Sequence, residues 1–476
     1  MLKFYLDPKL TDAISESLIK KYLLVPINLE DNVLKIACIN PENVSAILDV
    51  CKNIGYKVHA VTVDDKIMEM LLEEYFNYIN YKKAKQIHED NVAINIVNYL
   101  IEKASKMNAS DIHIEVMEMV VKVRFRIDGV LVEVLNMPRS LHQLIVSRIK
   151  IIGSMDIAEK RLPQDGRIDF TIDDQQIDLR ISTIPTVFGE KVVIRLLKRS
   201  AMLLGLERLG MDEKQLDKYK VLITRPYGLL LFTGPTGSGK TTSLYATLNH
   251  LNNPLLNIVT IEDPVEYLLA GINQIAVNFK IGLNFASGLR SILRQDPDVI
   301  MVGEIRDNDT ARIAVRAAIT GHQVFSTLHT NNAAGAITRL IDMGVEPYLV
   351  ASALNGVVAQ RLVRIICTQC KISYKYRADG VDSNLFGIGL KDEFTLFRGE
   401  GCIACNHTGY RGRTALFEIL PVTDEVKKLI LQKVSTYEIF QKGLEEGMIP
   451  YTRDGFAKVL QGITTIEEVR RVSFYL

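Results

Sequence analysis

The stretch Gly234-Pro235-Thr236-Gly237-Ser238-Gly239-Lys240-Thr241 holds the residue types that bind phosphate. Glycines let backbone N–H groups curl around an anion, a lysine reaches the β- and γ-phosphates, and the next hydroxyl sits on Mg²⁺. Lys240 and Thr241 stand at those two positions, with Thr242 beside them. Three further side chains have the chemistry to act on a nucleotide such as ATP held there. Glu262, in Thr260-Ile261-Glu262-Asp263-Pro264-Val265-Glu266, and Glu304, in Gly303-Glu304-Ile305-Arg306-Asp307, are carboxylates able to support a metal or order a water. His329, in Ser326-Thr327-Leu328-His329, is placed to sense a γ-phosphate, although a lone histidine is more often structural. A different chemistry is offered by Cys367-Thr368-Gln369-Cys370 and Cys402-Ile403-Ala404-Cys405. Four thiolates in two knuckles suit tetrahedral Zn²⁺, whereas a redox pair needs only one such motif.

These residues need elements to hold them. The apolar run Gly228 to Phe232 predicts a buried strand, and Thr242 to Leu248 a helix, so the glycine loop lies between strand and helix as phosphate binding requires. Ile258 to Ile261 predicts a strand ending at Glu262, Val299 to Val302 one ending at Gly303-Glu304, and Gln323 to Leu328 one ending at His329. In an α/β sheet such strand ends face the ligand crevice. Many phosphate-loop enzymes place a Mg²⁺-binding aspartate where Gly303 stands here. Asp298 precedes its strand and lies at the wrong end, so Glu304 is expected to order the attacking water and support the metal. His322, also before its strand, is expected to be structural. Together these elements predict a nucleotide-binding core from Pro226 to about Asn355.

The rest of the chain is too long for this core alone: 476 residues predict about three domains. With 47% apolar and 24% charged residues the composition is that of a soluble globular protein, and the net charge of +1 argues against a general nucleic-acid binder. No apolar run reaches the ~18 residues of a membrane-spanning helix, and Met1 to Pro8 is too short and polar for a secretory signal, so a cytoplasmic protein is expected. Residues 1–80 carry 12 Asp/Glu against 8 Lys/Arg and predict a small α/β docking domain: a helix from Thr11 to Tyr22, a hairpin of Leu23–Ile27 and Val33–Ala37, a helix from Pro41-Glu42 to about Ile54, a strand Val58–Val63 and a helix from Asp64 to about Phe76. Residues 81–91 are polar and predict a linker. Residues 92–198 predict a second α/β domain, with helices at Val92–Lys106 and Leu141–Ile152 and strands at Asp111–Glu115, Val120–Ile127, Arg167–Ile172, Ile177–Ile184 and Lys191–Leu197.

Two arginines in this second domain interrupt strand patterns: Arg180 in Asp178-Leu179-Arg180-Ile181-Ser182, and Arg195 in Val192-Val193-Ile194-Arg195-Leu196-Leu197. A guanidinium inside such a run needs an anion. Spacing alone favours a carboxylate, such as Glu190 or Asp178, over a phosphate from elsewhere. Beyond Arg361 come the tetracysteine segment and, from Val422 onward, a mostly helical end with a capped last helix at Thr464–Val469. Cys38 and Cys51 are expected to be core cysteines.

The combination resembles a known family, the hexameric ATPases of type II secretion and type IV pilus assembly. The resemblance spans nearly the whole chain and rests on Ser110-Asp111-Ile112-His113-Ile114-Glu115, Arg161-Leu162-Pro163-Gln164-Asp165-Gly166-Arg167, the phosphate loop, the Glu262 and Glu304 segments, Ser326-Thr327-Leu328-His329, and the tetracysteine site followed by Thr408-Gly409-Tyr410-Arg411-Gly412-Arg413. It implies a RecA-like phosphate-loop ATPase domain at 199–476, with a zinc-binding insertion at ~365–415 and a helical C-terminus, preceded by a PAS-like α/β domain and a small N-terminal α/β domain. It implies catalytic roles for Glu304, Glu262 and His329, and turns Arg180 and Arg195 toward phosphate, closing on the same chain's site. Arg290, Arg294, Arg306 and Arg411 are weaker candidates for charged contacts. The implied cofactors are ATP, Mg²⁺ and Zn²⁺. The implied partners are five more copies in a homo-hexamer, an inner-membrane platform protein and a cytoplasmic docking protein, with peripheral membrane association through them and no direct nucleic acid. Retraction motors lack the tetracysteine insertion and the longer N-terminal region, so an assembly or export motor is expected. Some relatives bind cyclic di-GMP through an Arg-Leu-Gly motif, which residues 1–80 do not contain. The alternatives are a DNA-translocating or DNA-uptake-associated motor, which needs a basic channel, and a regulator that binds ATP without turnover.

Overall fold

Every residue of Gly228–Thr233 is buried. The computed structural model describes residues 10, 14–30, 32–41, 56–84, 92–172, 175–198, 205–377, 382, 386 and 393–473. The expected helix from Glu42 to Ile54, and Cys51 within it, lie outside the described residues. The chain divides into two units, Met1–Ala201 and Met202–Leu476.

The first unit contains two sheets. β1 (Leu24–Glu30) and β2 (Val33–Cys38) form the expected hairpin, and β3 (Lys57–Thr62) joins β2 in parallel. Cys38 is buried, as expected of a core cysteine. The helix expected to stop near Phe76 runs as Asp65–Ala84, through the first residues of the expected linker. No glycine or proline interrupts it, and its apolar face continues at a spacing of four through Leu71, Tyr75 and Ile79, all buried.

The second sheet is antiparallel: β4 (Ala109–Val116), β5 (Val120–Ile127), β6 (Val130–Pro138), β7 (Gln164–Ile172), β8 (Gln175–Thr186) and β9 (Gly189–Lys198), in the order β6-β5-β4-β9-β8-β7. β6 was not foreseen; its pairing with β5 shifts register between Val123 and Arg124, leaving Val134 as an extra residue that disturbs the alternation. One face of the sheet, with Ile112, Ile114, Val121, Val123 and Phe125, belongs to a core shared with the helices Val92–Lys106 and His142–Ile152. The other carries the charged residues.

The second unit is built on one sheet: β10 (Gly228–Thr233), β11 (Ile258–Glu262), β12 (Asn273–Ala276), β13 (Val299–Val302), β14 (Gln323–Leu328), β15 (Leu354–Ile366) and, beyond the hairpin of β16 (Lys371–Arg377) with β17 (Glu393–Gly399), β18 (Tyr410–Pro421). Its order is β12-β11-β13-β14-β10-β15-β18, parallel except for β18. Alternate residues feed opposite layers, Leu229, Leu231, Ile300 and Val324 on one face and Leu230, Phe232, Met301 and Phe325 on the other. A parallel sheet covered on both faces reads as continuous apolar sequence, which is why these strands were visible beforehand. The sheet does not end near Asn355. β15 continues it through Gln360 and Arg361, whose polarity hides the strand, and the tetracysteine segment is an excursion between the paired strands β15 and β18. Helices Asp424–Leu431, Thr436–Glu445, Tyr451–Leu460 and Ile466–Ser473 complete the expected helical end.

Candidate active site

Because β10, β11, β13 and β14 run parallel, their C-terminal ends share one edge of the sheet. Thr233 pairs with Leu328 and Ile261 with Val302, so Gly234, Glu262, Gly303-Glu304 and His329 all leave the sheet at that edge.

Gly234 lies at φ +145°, and a Cβ there would come within 2.5 Å of the Gln360 carbonyl oxygen and 2.7 Å of the Ser238 hydroxyl. Gly239, at φ +89°, precedes the helix Lys240–Leu251, and its Cβ would meet Gln360 Nε2 at 2.7 Å. Both positions therefore exclude other residues, and β15 forms the floor of the loop. Pro235, Thr236 and Gly237 are exposed at its tip, as are Thr241 and Thr242 at its mouth. Lys240 is buried, its ammonium donating to the carbonyls of Gly234 at 2.8 Å and Pro235 at 3.0 Å. Burial pulls its pKa down to about 8, with Glu304 acting against the shift and Arg361 reinforcing it. The buried Ser238 hydroxyl has no hydrogen-bond partner among the described residues. An ammonium held only by carbonyls and an orphaned buried hydroxyl in one glycine cradle fit a polyphosphate.

Glu304 is mostly buried, and its carboxylate meets Arg306 at 2.5 Å and His329 Nε2 at 3.6 Å. The neighbouring turn is held by Ile305 N–H to the Thr327 carbonyl at 3.0 Å and the Thr327 hydroxyl to the Gly303 carbonyl at 2.8 Å. His329 is half-exposed, and burial followed by the nearby Lys240 charge lowers its pKa. The shift favours the neutral ring, which can accept as well as donate a hydrogen bond. Asp298 sits at the opposite end of the strand, accepting from Asn257 N–H at 2.7 Å. His322 binds the Ala317 carbonyl through Nδ1 at 3.0 Å, the expected structural role.

Glu262 is arranged differently. It is 3% exposed and accepts from the Tyr245 hydroxyl, from the Thr260 hydroxyl at 2.6 Å and from Gln274 Nε2 at 3.1 Å. Three donors hold it inside the strand end. Tyr245 and Gln360, which shape the site from beneath, were not foreseen; the polar pair Gln360-Arg361 breaking Val357-Val358-Ala359 was the available signal.

In the first unit, Arg180 and Arg195 are direct cross-strand partners in a row that reads Arg167, Arg180, Arg195, Asp111, Arg126 across β7, β8, β9, β4 and β5. Asp178 takes the Arg167 fork at 2.8 and 2.7 Å and lies 3.8 Å from Arg180. Arg195 points to the exposed face, 58% accessible and 3.3 Å from Asp111, so neither Glu190 nor Asp178 is its partner. Glu190 instead pairs with the buried Lys150 at 2.6 Å. Among the weaker candidates, Arg306 pairs with Glu304, Arg290 lies 3.6 Å from Asp309, Arg294 donates to the Arg290 carbonyl at 2.8 Å, and Arg411 is exposed at the start of β18.

The four sulfurs of Cys367, Cys370, Cys402 and Cys405 lie within 4.8 Å of one another, with closest pairs at 3.8 and 3.9 Å. A tetrahedral site with bonds of ~2.3 Å has sulfur edges of about 3.8 Å. Burial raises the Cys405 thiol pKa, but the N–H groups of Cys402 and Gly409 together with the neighbouring Cys402 and Cys370 sulfurs bring the value down to about 7. The set fits a tetrahedral thiolate-bound metal and no disulfide.

This sheet, with its glycine loop and its carboxylate and histidine at neighbouring strand ends, defines a RecA-like phosphate-loop ATPase. The chain belongs to the family described as "Type II/IV secretion system protein", whose model matches residues 86–471; a second, the MshEN domain, matches residues 2–78. The type II secretion system protein E of Pseudomonas aeruginosa is 48% identical over 90% of this chain and 83% of its own length. The type IV pilus assembly ATPase PilB of Myxococcus xanthus is 42% identical over 98% of this chain and 87% of its own. Among solved structures, the pilus retraction motor PilT with bound ADP matches with a TM-score of 0.52 at 26% identity, covering 78% of this chain and 95% of PilT. The Legionella pneumophila ATPase DotB shares the fold with a TM-score of 0.59 at 21% identity, over 80% of this chain and 96% of DotB. No described helix is long and apolar enough to cross a membrane.

Proposed function

We propose that this ATPase hydrolyses ATP to power type IV pilus assembly or type II secretion, the processes named for its relatives. The observation that carries the chemistry is the grouping, on one sheet edge, of a buried lysine and an orphaned serine hydroxyl with a carboxylate–histidine pair. Lys240 leaves its two loop carbonyls for the β- and γ-phosphates, and Ser238 and the loop N–H groups complete the cradle. The Thr241 hydroxyl, with Glu304 in support, would hold Mg²⁺, which would supply neutralisation of the developing phosphate charge. Glu304 orients the attacking water and draws its proton, and His329 reads the γ-phosphate. Glu262, saturated by three donors, acts by keeping the end of β11 in place. Arg180 and Arg195 contribute transition-state charge. Four guanidiniums against two carboxylates, Asp111 in their row and Asp178 beside it, support this, since such a surface keeps an excess of positive charge for a polyanion.

The tetracysteine cluster holds Zn²⁺ in a structural role, because four protein thiolates leave no open position for catalysis. The motor assembles as a homo-hexamer in the cytoplasm. It reaches the inner face of the cytoplasmic membrane through a platform protein, with the acidic N-terminal domain engaging a docking protein and no direct contact to nucleic acid.

The test is phosphate release by the purified protein with ATP and Mg²⁺, measured with and without DNA at low salt. Turnover independent of DNA is expected. DNA-stimulated turnover would instead indicate a nucleic-acid motor, and binding without turnover a regulator.

A further inference from the structure

Arg361 is 5% exposed in the middle of β15, and among the described residues no carboxylate accepts from it. Its guanidinium donates to the Asn331 carbonyl at 2.6 Å and to the Gln360 carbonyl at 3.3 Å, and lies over the Tyr451 ring at 5.4 Å. Its Nη1 is 3.0 Å from where a Cβ on Gly234 would stand, so it backs directly onto the first glycine of the phosphate loop. Asn331 lies two residues beyond His329. One buried cation therefore touches both the phosphate loop and the segment that presents His329.

That segment is held from several further sides. The Tyr451 hydroxyl also donates to the Asn331 carbonyl, at 3.4 Å. The Thr330 N–H donates to the Thr233 hydroxyl at 2.9 Å, and the two threonine hydroxyls bond at 2.6 Å. The Ala333 N–H donates to Glu418 at 2.8 Å. Glu418 is fully buried, which pushes its pKa up to about 7 against the pull of Ala333 N–H and Arg361. A buried guanidinium is costly, and a hydrophobic residue would fill the same space more cheaply. What a guanidinium supplies in addition is a rigid fork that fixes two main-chain segments at once.

We propose that Arg361 is a positioning residue for hydrolysis: through Asn331 it sets His329 against Glu304, in fixed register with the phosphate loop. It rests on the ATPase reading above. Arg361 does not touch the nucleotide, so its loss leaves the ground-state phosphate contacts of Lys240 in place and misplaces the groups that act on the γ-phosphate.

The experiment uses the full-length protein with Arg361→Lys, which keeps the charge but cannot span both carbonyls, and Thr330→Val, which loosens the same segment from β10. Binding of a fluorescent ATP analogue, kcat for ATP and the melting temperature are measured for each, alone and combined with His329→Ala. Both variants are expected to bind the analogue within about 3-fold of wild type while kcat falls about 10- to 100-fold, the scale of a small misplacement of reacting groups. His329→Ala is expected to add little to either loss, because both act through His329. Full kcat in either variant, if it melts as wild type does, overturns the proposal, and so does a loss that multiplies with that of His329→Ala. If Arg361→Lys fails to fold, Thr330→Val decides by the same two criteria. A wild-type protein without turnover would refute the ATPase reading itself, whereas active wild type with unimpaired variants removes only the positioning role.

Discussion

The hydroxyl of Tyr245 donates to the carboxylate of Glu262, joining the helix behind the phosphate loop to the end of β11. Burial and this bond hold the tyrosine proton firmly, raising its pKa. The contact makes Glu262 part of the frame and leaves Glu304 as the carboxylate beside Lys240 and His329. Tyr245→Phe removes one of three donors to a buried carboxylate. It should cost about 1–2 kcal/mol of stability, read from denaturant unfolding, with a far smaller effect on kcat than any change at Glu304.

Lys240→Ala and Glu304→Gln should fail differently. In the proposed mechanism Lys240 contacts phosphate in the ground state, so its loss should weaken ATP binding at least about 10-fold, whereas Glu304→Gln should bind normally and lose about 100-fold or more in turnover. Equilibrium binding and single-turnover hydrolysis distinguish them, and equal loss of binding in both would reverse the assignment.

Nucleotide affinity should depend on pH through Lys240. Its pKa near 8 rises when phosphates surround it, so binding takes up a proton above that pH. Affinity should be flat below pH 8 and weaken as pH rises beyond it, by up to about 10-fold per unit. Lys240→Arg, charged throughout, should remove the dependence. Titrations of Kd from pH 6.5 to about 9.5 would show whether that break exists.

The purified protein should carry about one zinc per chain, bound by four thiolates that also link metal loss to unfolding. Cys367→Ser or Cys405→Ser should lower the melting temperature and abolish zinc binding while changing ATP affinity little. Elemental analysis finding no zinc in a folded, active sample would count against this role.

Arg180→Ala should bind ATP nearly normally and hydrolyse it about 10²-fold or more slowly, as expected of a charge that acts in the transition state. Mixed rings of Arg180→Ala and Lys240→Ala chains should stay inactive if each arginine serves its own chain. Recovery above both parents would assign the arginines to a neighbour's site.

The strands that bear the phosphate loop, Glu304 and His329 were legible because a doubly covered parallel sheet writes itself as unbroken apolar runs. β15 was not, because Gln360 and Arg361, which make it useful to the phosphate loop, also make it look like a boundary. Glu262 was legible as a strand-end carboxylate, yet nothing in its spacing revealed Tyr245 and Gln274, whose bonds to it depend on tertiary packing. The carboxylate partner of Arg195 was misjudged for a similar reason. Asp111 is 84 residues away in sequence and meets it only because β4 and β9 are neighbours.

Ile366 and Tyr410 face each other across the β15–β18 ladder. A tight turn between them would remove residues 367–409 and leave the register of every remaining pair in the motor sheet unchanged. In the logic of chain connectivity, then, the cysteine-bearing excursion is a detachable cassette. In the logic of burial it is not: its Phe386, Leu396 and Phe394 pack with Tyr451, Phe456 and Val459. Excising it would strip the cover from the helix whose Tyr451 lies under Arg361. A cassette that topology permits to come and go has become a wall of the C-terminal core.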